Sequence, residues 1–426
     1  MGLGVMKRAW RCWTTMPMAT WHRPRFLSDR VEIDRGRLFE QVPEYEGQFT
    51  TPLQQEIHRT LSIFGPISIA NYMKRALLHP SMGYYTNKDA FGSKGDFTTS
   101  PEISQLFGEM IGVWMKTAFE ALGRGDRLSL VELGPGRGTM MSDIVRTMMK
   151  LGVKADIHLI EQSPLLRQIQ AKALDGFIRD HDLRVHWHHH LSSFEPQPNE
   201  TILFVAQEFL DALPIHQFQY TDQGWRERLV AANQRPGASH PLQVVLAPQP
   251  TPACQLIERA PQRPTSPRVG DVLEISPESV AIVDRICARL ATNRGAALII
   301  DYGSDQPDGN TLRGVDRHQF VPFLERPGRV DVTADVDFGS LREAVECWRE
   351  SGIRATATVE QGRFLTSLGI MERVERLVDQ CESETDQDII IAGYERLVDP
   401  EQMGAVYKCM AIVSEDTYDQ IPGLSS

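Results

Sequence analysis

Long hydrophobic runs are missing from this sequence of 426 residues. The longest unbroken apolar runs, such as 202–206 and 296–300, have five residues each, whereas a membrane-spanning helix needs about 20. We therefore expect no membrane span. Basic residues are also few, because the chain has 45 Lys and Arg residues but 56 Asp and Glu residues. The formal net charge of −11 argues against a general nucleic-acid binder, which is usually basic.

Patterns of metal ligands or disulfides are absent as well. The six cysteines are scattered along the chain without a CxxC pair, so neither a zinc site nor a disulfide framework is indicated. His186, His188 and His190 alternate along a predicted strand. No cysteine or carboxylate pattern accompanies them, and we interpret them as structural residues rather than metal ligands.

Acidic residues are missing from the first 28 positions, which carry five Lys or Arg residues. An arginine-rich, acid-free start without a long apolar stretch is typical of a mitochondrial transit peptide. Arg25 precedes Phe26-Leu27-Ser28, which predicts a transit peptide at 1–27 and a mature protein that begins near Ser28 in the mitochondrial matrix. A basic tail without targeting function is the alternative.

Short apolar strands alternate with helices over the second quarter of the chain, and this alternation predicts an α/β fold. A parallel sheet with helices on both faces gives this pattern, because its buried strands are nearly continuous in apolar residues. The predicted strands are 128–133, 157–160, 185–189, 202–206 and 298–301, and the predicted helices are 139–151, 164–174 and 279–290. Further predictions are a helix that starts at Ser100-Pro101, one helical segment at 365–377 and a last strand at 407–413.

The same survey divides the chain into segments. Alternating polar and apolar residues between 215 and 275 predict an antiparallel element inserted into the α/β unit. We predict a linker at 28–48, an N-terminal helical extension at 49–126, the two halves of the α/β domain at 127–214 and 276–415 around the insertion at 215–275, and a tail at 416–426.

A glycine-rich loop follows the first predicted strand of the α/β unit. The segment Glu132-Leu133-Gly134-Pro135-Gly136-Arg137-Gly138 leads from that strand into a helix. Glycines let the backbone turn sharply and approach a ligand, and the amino end of the helix faces it. A dinucleotide fingerprint would need Gly or Ala where Thr139 stands. An acid two positions before the first glycine is instead typical of folds that bind S-adenosylmethionine (SAM), where it faces a cationic ligand.

Further acids follow two other predicted strands. Glu161 ends the strand 157–160 and lies 27 residues after Gly134, near the spacing of a ribose-binding acid. Glu208 and Asp211 follow the strand 202–206, and ligands of such sheets lie beyond the carboxyl ends of the strands. Two carboxylates there match the planar donors of an arginine guanidinium. The alternative for Glu208 is a cap on a helix that follows it.

Taken together, these blocks make the chain similar to the MidA-like family of SAM-dependent protein arginine methyltransferases. The resemblance spans about residues 50–413 and rests on several segments in a fixed order. They are Gly83-Tyr84-Tyr85, Gly95-Asp96-Phe97 with Thr99-Ser100-Pro101-Glu102, the glycine loop 132–138, Glu208-Phe209 with Asp211-Ala212-Leu213-Pro214, Asp301-Tyr302-Gly303 and Thr333-Ala334-Asp335-Val336-Asp337-Phe338. Members of the family often have Asn where this chain has Gln207, which weakens any role for that position.

The resemblance implies a Rossmann-like SAM-dependent methyltransferase sheet and SAM as the cofactor. It also implies symmetric dimethylation of an arginine on a core matrix-arm subunit of mitochondrial complex I, early in its assembly. We predict Glu208 and Asp211 as the catalytic pair. The predicted cofactor residues are Glu132, Gly134, Pro135, Gly136, Gly138, Glu161, Tyr84, Tyr85 and Asp96. A catalytically silent SAM-binding assembly chaperone, and a methyltransferase for RNA or a small molecule, remain as alternatives. The acidic chain disfavours RNA, because RNA binding requires basic surface.

Overall fold

In a computed structural model of the chain, residues 45, 47–87, 99–123, 125–235 and 237–424 are described. The predicted transit peptide and Asp96 lie outside these ranges. Within them, no helix combines the length and the apolar character needed to cross a membrane. The first elements are α1 (Pro52–Phe64), β1 (Ile67–Ser68), α2 (Ile69–Leu78), α3 (Tyr84–Asn87), α4 (Ser100–Ile103) and α5 (Gln105–Ala121).

The helix predicted to start at Ser100 is divided in two. Thr99 precedes the short helix α4, and Ser104 then begins α5, where its side chain accepts a hydrogen bond from the Leu106 amide. The prediction of one helix was therefore wrong at this point. Ser104 has extended backbone angles, which interrupt the helix, and Ser is a strong N-cap residue.

The elements that follow form the alternation expected from the sequence. They are β2 (Leu128–Leu133), α6 (Thr139–Lys150), β3 (Asp156–Ile160), α7 (Pro164–His181), β4 (Val185–His188) and β5 (Thr201–Gln207). After them come the strands of the insertion, β6 (His216–Thr221), β7 (Gly224–Ala232), β8 (Leu242–Leu246) and β9 (Val272–Ile275). All four pair antiparallel, and β1 joins the same sheet beside β7.

The last part of the chain returns to the main sheet. Its elements are α8 (Pro277–Leu290), β10 (Gly295–Ser304), β11 (Arg313–Asp316), β12 (Gln319–Val321), β13 (Asp331–Thr333), β14 (Val336–Asp337), α9 (Phe338–Glu346), β15 (Ile353–Ala355), β16 (Val359–Glu360), α10 (Gln361–Ser367), α11 (Ile370–Gln380), α12 (Glu384–Val398) and β17 (Tyr407–Ser414). Short 3-10 turns occupy Leu191–Ser193, Pro252–Arg259, Arg349–Ser351 and Glu415–Gln420.

The single helical segment predicted at 365–377 is two helices. Gly369, with a φ of 85°, separates α10 from α11, and this left-handed conformation ends a helix at little cost only for glycine. Helix α12 and the small sheet of β11, β12 and β13 were not predicted at all.

The main sheet has the order β15-β17-β10-β5-β2-β3-β4 within the described residues. The strands from β10 to β4 are parallel, whereas β17 runs antiparallel to β10. Leu133 at the end of β2 pairs with Ile160 and with Ala206, and Ile300 pairs with Gln207. The carboxyl ends of four parallel strands therefore meet at one edge.

Helices cover both faces of the sheet, as predicted. On one face α5 and α6 pack through a core that includes Trp114, Phe107 and Ile144. On the other face α8 and α9 pack through a core that includes Val283 and Leu341. A third core joins α1 and α2 to the inserted sheet and to β13; its members include Leu53, Tyr72, Tyr84, Val230 and Val332. The parallel sheet with helices on both faces is the α/β architecture that the sequence predicts.

Candidate functional site

The glycine loop bends the backbone away from the end of β2. Gly134, Gly136 and Gly138 all have positive φ values, of 65°, 51° and 83°, a region that L side chains rarely adopt. The Gly134 amide donates to the Ile160 carbonyl over 3.1 Å, which joins the loop to β3. A Cβ on Gly134 would lie 2.6 Å from a ring carbon of Phe209. The loop therefore requires glycine for its conformation and, at Gly134, for space.

A cleft opens between this loop and the residues after β5. Its walls contain Thr99, Pro101, Glu102, Glu132, Gly134, Pro135, Gly136, Arg137, Thr139, Met140, Gln207 and Glu208. The Thr139 hydroxyl donates to the Glu102 carboxylate over 2.6 Å, so the start of α6 is tied to α4 across the cleft. The structure thus brings the glycine loop, Glu132 and Glu208 to one cavity.

Glu132 is buried near the end of β2, with 2% of its surface exposed. One of its carboxylate oxygens is buried without a hydrogen-bond partner. Burial, together with the nearby Glu161, raises the pKa of Glu132 to about 8. A buried acceptor left unpaired is costly, and a cationic ligand in the cleft would satisfy it. The residues present therefore fit a ligand with a positive sulfonium and amino group.

Glu161 lies at the end of β3, beside the loop. Its carboxylate accepts from the Ser163 amide over 2.7 Å and from the Gln170 side chain over 3.3 Å. Burial raises its pKa, and these donors oppose the shift. Gln170 also donates to the Gly136 carbonyl over 2.8 Å. Sequence reasoning missed Gln170, which is fully buried on α7. The available signal was its spacing of four residues from both Leu166 and Leu174, which are buried on the same helix.

Glu208 follows β5 in a left-handed conformation, with a φ of 47°. Strained residues of this kind cost about 1–3 kcal/mol and cluster at functional sites. Its carboxylate accepts from the Ser100 amide over 3.2 Å and from the Gln207 side chain. Turns and bends, not a helix, follow at 209–213, so Glu208 does not cap a following helix. Burial and the neighbouring Asp211 raise the pKa of Glu208 to about 8.

Asp211 is buried three residues further on. One carboxylate oxygen accepts from the Thr333 hydroxyl over 2.7 Å and from the Tyr302 hydroxyl. The other oxygen is buried without a partner. Burial raises the pKa of Asp211, and the hydroxyls of Tyr302 and Thr333 oppose the shift. Among the residues that the structure describes, this second oxygen of Asp211 therefore stays available as an acceptor.

Asp301 shapes the turn that carries these acids. Its carboxylate accepts from three successive amides, those of Phe209, Leu210 and Asp211, at 3.2, 3.0 and 3.3 Å. Burial and the charges of Asp211 and Glu208 raise the pKa of Asp301, whereas the amides lower it. Asp301 therefore stabilises the turn that carries the predicted catalytic pair.

The two tyrosines predicted beside the cofactor do not line this cleft. Tyr84 is fully buried in the core of the N-terminal helices, and its ring meets that of Tyr85 edge to face at 5.1 Å. The Tyr85 hydroxyl donates to the Asp331 carboxylate over 3.0 Å. Asp96, the third predicted residue of this group, is outside the described residues.

Two more acids that could line a substrate cleft, Asp335 and Asp337, share the wall of one cavity but have different partners. The Asp337 side chain caps α9 by accepting from the Ser340 amide over 3.0 Å. Asp335 pairs with the Arg313 guanidinium over 2.7 Å and lines an open groove with Arg313 and Phe320. Asp337 therefore has a capping role, and Asp335 faces the groove.

Three histidines form a stacked row across β3 and β4. The His158 ring in β3 stacks on His186 and His188 of β4, at centroid distances of 4.9 and 5.2 Å. Burial, with the neighbouring histidines, lowers the pKa of His158 to about 3. Among the residues that the structure describes, no group of three or more His, Cys, Asp or Glu side chains could hold a metal ion.

Comparison with known proteins identifies the family of this chain. A family model described as "Putative S-adenosyl-L-methionine-dependent methyltransferase" matches residues 110–354. Curated relatives named protein arginine methyltransferase NDUFAF7, mitochondrial, are 37% identical in Mus musculus and 35% in Homo sapiens. Each alignment covers 89% of this chain, and it covers 89% of the mouse protein and 88% of the human protein.

A solved structure is similar along most of the chain. It is a COG1565 superfamily member from Burkholderia thailandensis bound to S-adenosyl-homocysteine, with 26% identity and a TM-score of 0.72. The match covers 87% of this chain and 95% of that chain. These findings confirm SAM as the cofactor, and the relatives' names agree with the predicted mitochondrial location.

Proposed function

Because this chain belongs to the SAM-dependent methyltransferase family whose model it matches, we propose that it methylates a protein arginine. The observation that carries the proposal is that Glu208 lines the same cleft as Glu132 and the glycine loop. An acid and the predicted cofactor residues thereby line the same cavity. The curated relatives are named protein arginine methyltransferases, which supports the same acceptor.

The half of the cleft around the glycine loop and Glu132, the cofactor half, binds SAM in this proposal. When bound, SAM supplies a methyl group on a positively charged sulfonium. Glu132 offers its unpartnered oxygen to the cationic part of the cofactor. Gly134, Pro135, Gly136 and Gly138 give the close backbone approach, and Glu161 accepts from the ribose hydroxyls.

The half of the cleft around Glu208, the acceptor half, orients the guanidinium and receives its proton. An arginine side chain stays protonated in water, with a pKa above about 12, so a nitrogen becomes a nucleophile only as its proton leaves. That nitrogen bonds to the methyl carbon as the carbon–sulfur bond breaks, and the released proton passes to a carboxylate and then to solvent. Glu208 and Asp211 hold two edges of the guanidinium. Good alignment can supply about 7–11 kcal/mol of the barrier reduction.

The finer part of the proposal concerns the product and the target. We infer symmetric dimethylation of an arginine on a core matrix-arm subunit of mitochondrial complex I. The support is the resemblance to the MidA-like family, whose mitochondrial members are complex I assembly factors. The protein then works in the matrix, where its substrate is assembled.

Incubation of the full-length protein with labelled SAM and purified matrix-arm subunits tests the proposal. We expect label on one arginine, with fragment ions of symmetric dimethylarginine in tandem mass spectrometry. A subunit with that arginine changed to lysine is the matched control and should take no label. SAM binding without transfer would support the silent chaperone, and transfer only to RNA or a small molecule would contradict an arginine acceptor.

A further inference from the structure

Two tyrosines stand directly opposite each other on neighbouring strands beside the acids. Tyr302 of β10 and Tyr407 of β17 are register partners in the antiparallel pairing. Their rings meet edge to face, with centroids 5.6 Å apart and an interplanar angle of 83°. The Tyr302 hydroxyl donates to Asp211, and Tyr407 opposes the raised pKa of Glu208. One tyrosine of the ring pair is therefore bonded to Asp211, and the other affects the ionisation of Glu208.

We propose that the Tyr302–Tyr407 pair positions Asp211 and Glu208, so that both carboxylates address one guanidinium. This role rests on the proposed function, because it requires that the acceptor is an arginine. Neither tyrosine need touch the substrate. Tyr302 acts through Asp211, and Tyr407 acts through Glu208.

The backbone explains why such a support is needed. The segment 208–211 is irregular, and Glu208 has a strained left-handed backbone. Strands β10 and β17, in contrast, are joined along a continuous run from Ala296–Val413 to Tyr302–Tyr407. A side chain fixed on a rigid strand can therefore hold an acid whose own backbone is irregular. Functional groups need such supporting contacts, because small displacements reduce turnover strongly.

The surrounding charges make the hydroxyls important for ionisation as well. Asp211 faces the hydroxyls of Tyr302, Thr333 and Tyr85 and the charged groups of Asp301, Glu208 and Arg313. Glu208 faces the Ser100 amide, Gln207, Tyr407, Asp301 and Asp211. The Arg313 guanidinium lies 5.1 Å from the centroid of the Tyr302 ring. Because several acids crowd together, donors are needed to stabilise their ionised forms, and a hydrogen bond to a charged group favours that form.

Tyr302→Phe and Tyr407→Phe remove the hydroxyls and keep the ring pair. In each variant we expect the turnover number near pH 7 to fall at least about tenfold, with little change in KM or SAM affinity. The ascending limb of the pH profile should move to higher pH, because loss of the donor raises the pKa of the acid. Tyr72→Phe is the matched control, since its buried hydroxyl donates to the Phe323 carbonyl over 2.8 Å, outside the acid cluster.

A second measurement does not depend on the substrate. Carbon-13 carboxyl titration of the two acids, assigned with Glu208→Gln and Asp211→Asn, should show a higher pKa for Asp211 in Tyr302→Phe and for Glu208 in Tyr407→Phe. Unchanged titrations together with an unchanged pH profile would overturn the positioning role. If the titrations shift but the wild-type protein transfers no methyl group to arginine, the proposed function fails and the positioning of the acids stands.

Discussion

The two sides of the cleft are built by different means. The cofactor side is continuous in sequence, because the glycine loop and Glu161 come from one strand–helix–strand unit at 132–161. Its essential features are backbone conformations with positive φ. The acceptor side is assembled from distant segments, since Glu208 in the cleft wall meets Ser100 across 108 residues. The nearby Asp211 meets Tyr302 and Thr333 across 91 and 122 residues. Backbone shape should therefore control cofactor affinity, and side-chain chemistry should control transfer.

The largest effect is expected from Gly136→Val, which changes the cofactor side of the cleft. The native φ of 51° disfavours a β-branched residue, and the side chain would enter the space of the ligand. We expect calorimetry to show no measurable SAM binding while the circular dichroism spectrum stays unchanged. Gly152→Val is the matched control, because Gly152 has a φ of 77° and open space around it. Wild-type SAM affinity in Gly136→Val would contradict the cofactor site.

Glu208→Gln tests the other side of the cleft. Glutamine is nearly isosteric, so the fold and SAM binding should persist while the negative charge is lost. We expect single-turnover transfer to the protein substrate to fall at least about a hundredfold, which corresponds to about 2.7 kcal/mol. A loss of SAM affinity would instead make Glu208 a cofactor ligand. If both values stay at the wild-type level, Asp211 becomes the acid to test.

A smaller effect is expected from Glu132→Gln. The raised pKa of Glu132, about 8, means that its charge develops as the pH rises through that value. SAM affinity of the wild-type protein should therefore increase between pH 7 and 9, and in the variant it should be about tenfold weaker at pH 9 with a flatter profile. Glu200→Gln is the control, because Glu200 is buried at the opposite edge of the sheet and accepts from the Ser129 hydroxyl over 2.6 Å. Equal profiles in wild-type and Glu132→Gln protein would remove Glu132 from the site.

The smallest effect concerns stability and should leave the cleft unchanged. The folded protein keeps His158 neutral, with a pKa of about 3, whereas the unfolded chain takes up a proton below about pH 6.5. This contribution to the free energy of unfolding is therefore full above pH 6.5 and decreases as the pH falls toward 3. In denaturant titrations at pH 7.5 and 5.5, His158→Phe should lose less stability between the two values than the wild-type protein. An identical loss would show that the histidine row does not titrate as described.

The same contrast explains what could be predicted from the sequence. The loop, Glu132 and Glu161 could be proposed as site residues because strand, glycines and acids follow one another locally. Glu208 and Asp211 could be proposed because they follow a buried strand, and the structure places Glu208 in the same cleft as the loop.

The supports of the two acids were missed for a physical reason. Tyr302 and Thr333 belong to segments on which the family resemblance rests, but their contacts with Asp211 form only in the tertiary structure. The same holds for the pairing of Tyr407 with Tyr302. The strands β11 to β13 have only three or four residues, too few for a visible alternation. In α12 the adjacent Ile389, Ile390 and Ile391 obscure the helical period.

Peptide affinity in the presence of a cofactor product tests the central claim most directly. A short acetylated Gly-Arg-Gly peptide is titrated calorimetrically into wild-type and Glu208→Gln protein, each saturated with S-adenosylhomocysteine. We predict at least about tenfold weaker peptide binding in the variant, with the affinity for S-adenosylhomocysteine unchanged. Unchanged peptide affinity with weakened binding of S-adenosylhomocysteine would contradict the division of the cleft into a cofactor side and an acceptor side.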